Sequence, residues 1–115
     1  MKTINSTNRD YPIHDRRAVA ALIDAILAQP NLSVSVFDGE EWTLKRSTST
    51  HEIAQACMST DDDRLNVWRT NGDGTAERAG WFHLVYGNGE GETIADNADN
   101  AFCNDICGIV EAAFN

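Results

Sequence analysis

The chain has 115 residues, 42% of them hydrophobic, and carries 18 acidic against 9 basic side chains for a net charge of −9. That length fits one domain whose core hides roughly two-thirds of the unfolded surface, and the apolar content argues against disorder. The charge argues against direct binding to nucleic acid, and no apolar run approaches the ~20 residues that cross a bilayer.

Residues 1–14 read as an N-terminal arm, polar apart from Ile4, Tyr11 and Ile13, with no apolar segment of a signal peptide. The expectation is a cytoplasmic protein. Residues 15–115 read as a single domain. Asp15 is placed to cap a first helix, in which Val19, Leu22, Ile23 and Ile26 fall on one stripe. Pro30 ends it at about Gln29, because proline disfavours helical geometry at the preceding residue. Leu32, Val34 and Val36 alternate with Ser33 and Ser35, as in a half-buried strand. Asp38-Gly39 then turns the chain into a second strand, where Trp42 and Leu44 share one face. Ser49 and Glu52 have capping-box spacing before a short helix bearing Ile53, Ala56 and Cys57, which stops near Met58.

Asp61-Asp62-Asp63 reads as a solvated loop. Arg64 to Thr70 forms a third strand, with Leu65 and Val67 on one face and Asn66 and Trp68 on the other. Asn71-Gly72-Asp73-Gly74 is a turn. The fourth strand, Gly80 to Tyr86, is apolar on both faces, and Thr93 to Ala95 is a short fifth. Asp99 or Asn100 caps a last helix with Phe102, Ile106, Ile109, Val110 and Ala113 inside. The order α-β-β-α-β-β-β-α predicts an α+β fold, an antiparallel sheet of four to five strands with helices on one face. The other face would hold Trp68 and Trp81 or its neighbour. Cover could come from the N-terminal arm, a second copy of the chain or another protein.

Candidate chemistry is sparse. Cys103 and Cys107 share a helix face and could give two zinc ligands, but Cys57 with His51 or His83 would have to complete four. An odd cysteine count suits a reducing compartment, and buried packing is the simpler role. Reading Asn88–Asp99 as a calcium loop fails, since the sixth position is Thr93 and the twelfth Asp99. The glycines at 72, 74, 87, 89 and 91 lie between strands, not ahead of a helix that could hold phosphate. A Cys57–histidine pair needs the fold to bring it together. The expectation is a non-enzymatic chain without cofactor or metal.

The acids are unevenly spread. Residues 1–78 carry −3, whereas residues 79–115 carry −6, with Glu90, Glu92, Asp96, Asp99, Asp105 and Glu111 and no Lys or Arg. The stretch Gly80-Trp81-Phe82-His83-Leu84-Val85-Tyr86-Gly87-Asn88, followed by Ile94-Ala95-Asp96-Asn97-Ala98-Asp99-Asn100, resembles small accessory proteins of phages, prophages and plasmids over the last third of the chain. The resemblance implies a bacterial host cytoplasm and an inhibitor of a host defence or nucleic-acid-handling complex. The expected partner is a basic protein or nucleoprotein complex, met through Trp68, Trp81, Glu90, Glu92, Asp96 and Asp99. The alternatives are a homodimer whose acids serve solubility, and a cysteine- or metal-dependent enzyme.

Overall fold

Apolar alternation along the strands and apolar stripes on the helices leave only one way to bury both, which is sheet against helices. The computed structural model describes residues 11–113, so most of the expected N-terminal arm, with Ile4, lies outside the described residues. The elements are α1 (Ile13–Leu27), β1 (Leu32–Phe37), β2 (Trp42–Ser47), α2 (Thr50–Ala56), β3 (Asp62–Thr70), β4 (Ala76–Val85), β5 (Ile94–Asn97) and α3 (Ala101–Ala112). Their order is the expected one, and the fold is α+β. All strand pairs are antiparallel, in the spatial order β2-β1-β3-β4-β5. The α2 crossover carries the chain from β2, at one edge, to β3 on the other side of β1.

One core joins the layers. Val34, Val36, Leu65, Val67, Phe82 and Leu84 are fully buried from the sheet side. They meet Leu22, Ile23 and Ile26 of α1, Ile53 of α2, and Cys103 and Ile106 of α3. Each fully buried Leu, Ile or Phe contributes about 1.5–3 kcal/mol relative to exposure.

Several local expectations are corrected. Pro12, not Asp15, precedes the first turn of α1, and the helix ends at Leu27 with Ala28 as its cap. Asp15 is instead buried in that turn, where it accepts from the Thr93 hydroxyl (2.6 Å) and the Gly87 amide (2.9 Å). It ties α1 to the β4–β5 connection. Trp42 and Leu44 lie on opposite faces, because a register shift lets Trp42 pair with Phe37 and Leu44 with Val36. Ser33 and Ser35 are buried, so β1 is covered on both faces. On α3, Cys103, Ile106 and Val110 point inward, while Ile109 is 52% exposed. Six residues from Cys103 brings Ile109 round to the far side.

The caps follow local chemistry. The Ser49 hydroxyl accepts from the Glu52 amide (3.2 Å) as its spacing predicts. The Glu52 carboxylate, however, accepts from the Ser47 hydroxyl, and Ser47 Oγ accepts from the Ser49 amide. Asn100 caps α3, its Oδ1 accepting from the Cys103 amide (2.8 Å) while its Nδ2 donates to the Ala79 carbonyl (3.0 Å). One side chain thus starts α3 and fixes it to β4. Asn100→Ala is expected to lower stability by about 1–2 kcal/mol, read from urea midpoints; a loss no larger than an exposed substitution gives would remove that role.

Candidate functional site

The described helices pack on one face of the sheet, and none of them lies on the opposite face. Antiparallel register sorts its side chains into rows. The first row crosses all five strands: Trp42, Phe37, Arg64, His83 and Asp96 are successive neighbours. The second holds Ser35, Asn66 and Trp81, and the third Ser33, Trp68 and Arg78. Asn66, smaller than the Phe37, Arg64 and His83 side chains near it, lies in a groove on this face. The groove measures about 430 Å³, and Phe37, Trp42, Asp62, Arg64, Asn66, Arg78 and His83 line it with Gly39.

Arginines lie over the tryptophans. The Arg64 guanidinium is 4.5 Å from the Trp81 ring centre and that of Arg46 is 4.7 Å from Trp68. Phe37 and Trp42 pack with ring centres 5.1 Å apart, and Trp42 remains 40% exposed. Cation–π stacking of this kind contributes roughly 0.5–1 kcal/mol at exposed sites and shields part of each ring from water. His83 is half-exposed here, with Nε2 2.9 Å from Asp62 Oδ2. Two polar atoms under this layer, Asn66 Oδ1 and Trp68 Nε1, are buried without a hydrogen-bond partner.

Trp68, Trp81 and Asp96 therefore share the open face, Asp96 at its β5 margin. Glu90 does not: it borders a second groove of about 570 Å³ on the helix side, with His14, Arg17, Cys107 and Glu111. Glu92 is exposed in the β4–β5 connection and Asp99 in the bend before α3. The tryptophans and most of the acids thus lie apart. Phe37, Trp42, Arg46, Arg64, Asn66 and Arg78 escaped sequence reasoning as site residues. Outward alternation along β3 (62, 64, 66, 68) is the one signal that could have found some of them.

The third acid of the Asp61–Asp63 run is buried, not solvated. Asp63 Oδ2 accepts from the Tyr86 hydroxyl (2.5 Å) and the Met58 amide (2.8 Å), with Cys57 close by. Burial pushes the Asp63 carboxyl above its usual value despite these bonds. The Cys57 thiol is pushed up by burial and by the nearby Asp63, and the Tyr86 phenol by burial, Cys57 and Asp63. Burial also raises Cys103 and Cys107. A nucleophilic cysteine needs the opposite shift. Cys57 sits in the core, His83 on the open face and His51 at the exposed start of α2, so no thiol–imidazole pair forms among them. Among the described residues no group of three His, Cys, Asp or Glu is arranged to hold a metal ion, and no helix is long and apolar enough to cross a membrane. No known protein family matches the chain, and no curated protein or solved structure is significantly similar to it.

Proposed function

We propose that the chain is a non-enzymatic protein-binding domain and that its open sheet face is the docking surface. The observation that carries this reading is the aromatic–arginine layer of Phe37, Trp42, Trp68, Trp81, Arg46 and Arg64, on which none of the described helices packs. Tryptophan and arginine are the residues most enriched at binding hot spots, and here both stand on rigid strands. Raised thiol pKa values at all three cysteines favour binding over catalysis.

On the resemblance read from residues 80–88 and 94–100 to phage and plasmid accessory proteins, the proposed partner belongs to a host defence or nucleic-acid-handling complex. The −6 charge of residues 79–115 favours one with a basic surface. Since Glu90 lies on the helix side, it would act on association rate at a distance and not as a contact.

Capture from a bacterial lysate with four baits tests this: the parent, Trp42→Ala, Trp81→Ala and the Glu90→Lys/Glu92→Lys pair. A protein held by the parent and lost from both tryptophan variants is expected, with the charge pair only slowing its association. Retention by both tryptophan variants would move the docking surface elsewhere. Parent dimers that Trp81→Ala converts to monomers would assign the face to a second copy.

A further inference from the structure

Stacking occupies the flat face of a guanidinium and leaves its N–H edge, a planar fork that matches a carboxylate. Arg46 and Arg64 are stacked in this way, and Arg78 borders the same groove. Among the described residues none of these three makes an ion pair, although the chain has 18 acids. Asp62, the acid lining the groove, faces His83 instead.

The floor of the groove is a second, independent observation. Asn66 is 4% exposed and lines the groove, and its carboxamide oxygen has no donor. Buried polar atoms are ordinarily paired. The Asn66 oxygen wants a donor, which a peptide backbone N–H supplies.

We infer that this groove takes an extended segment of the partner bearing an aspartate or glutamate. Its carboxylate meets the N–H edges of Arg64 and Arg78, its backbone pairs with Asn66, and an adjacent apolar side chain rests on Phe37 and Trp42. The inference deepens the protein-binding reading and rests on it. A local carboxylate is compatible with a partner of any net charge. Single-stranded nucleic acid fits less well: its repeating phosphates would meet Asp62 and Asp96 on the same face and the −9 charge of the whole chain.

The test is a titration of the full chain with a short, capped peptide bearing one glutamate beside a tyrosine and no other charge, followed by the amide and indole proton–nitrogen resonances. Expected is a saturable shift of the Asn66 carboxamide. The Arg64→Gln/Arg78→Gln pair should weaken the affinity by about tenfold or more while lowering the melting temperature by only a few degrees, as the lost Arg64 stacking requires, and added salt should weaken the parent. The same peptide with lysine in place of the glutamate should leave that resonance in place. Three results would overturn the inference: salt-insensitive binding by the parent, an equal response to the lysine peptide, or a stronger response to oligothymidylate. The parent's salt dependence decides the matter even where the double variant does not fold. In the lysate experiment, a partner lost from Trp42→Ala and Trp81→Ala but held by the arginine pair would keep protein binding and sink the acidic segment.

Discussion

Asp63→Ala is expected to lower stability by about 2–3 kcal/mol, while Asp63→Asn, which keeps the acceptor but sets an unpartnered amino group in place of Oδ1, should lose less at neutral pH. The carboxylate is 1% exposed and accepts from Tyr86 and Met58, so alanine strands a buried phenol and a buried amide together. Asparagine keeps an acceptor for them and removes the charge that burial penalises. The sign of the pH dependence follows from the raised carboxyl pKa. A group raised in the fold contributes most below its unfolded pKa, about 3.9, and that contribution is lost as pH rises through the folded value. The parent should therefore lose stability, through this group, from about pH 4 upward, and Asp63→Asn should lack that slope. Urea unfolding across pH 4–8 measures it. Parallel curves for the parent and Asp63→Asn would mean that the carboxyl is not raised, and an Asp63→Ala loss below about 1 kcal/mol would mean that the network is slack.

Local chemistry made much of this fold legible. Leu32, Val34 and Val36, Leu65 and Val67, and Phe82 and Leu84 announce strands by alternation, and Ser49 and Asn100 announce helix starts by their side-chain oxygens. What stayed hidden depends on pairings between distant residues. The side on which Trp42 falls is decided by a register shift against β1, which leaves no mark in the alternation of residues 42–45. Ser33 and Ser35 look like solvent positions, yet both are buried on β1, which lies between β2 and β3. Asp63 looks like one of three solvated acids until Tyr86, 23 residues away, bonds to it. The open face is a similar case. Trp68 is legible as an outward residue and Trp81 as one of two alternatives on its strand, but the arginines above them and Asn66 nearby become a site only once β3 lies between β1 and β4. The acids near residue 90 carried the strongest compositional signal, and the fold sends Glu90 to the helix side.

Gly80→Ala tests the joint between the two layers, and its effect should rival that of Asp63→Ala. Gly80 faces the helices at the point where α3 comes closest to β4, and a β-carbon there would stand 2.3 Å from Cys103 Sγ and 3.4 Å from Phe102 Cδ2. The thiol cannot easily retreat. Cys103 is fully buried, its amide is held by the Asn100 cap, and its Sγ points to the Trp81 carbonyl 3.7 Å away. Either α3 lifts from the sheet or β4 shifts, and overpacking of this kind costs about 1–3 kcal/mol. Alanine's lower entropy in the unfolded chain offsets only a fraction, about 0.4–1 kcal/mol. Cys103→Ala alone should also destabilise, by removing a buried sulfur. The two changes together should cost less than the sum of their separate effects, because the added methyl takes the space the sulfur leaves. A double-mutant cycle by urea unfolding measures that coupling, expected at about 1 kcal/mol or more in the compensating direction. Strict additivity would show that α3 and β4 are not in close contact at this point. Since α3 backs the strand that carries Trp81 and His83, Gly80→Ala should also weaken partner binding at the open face. The Cys103→Ala combination should restore it.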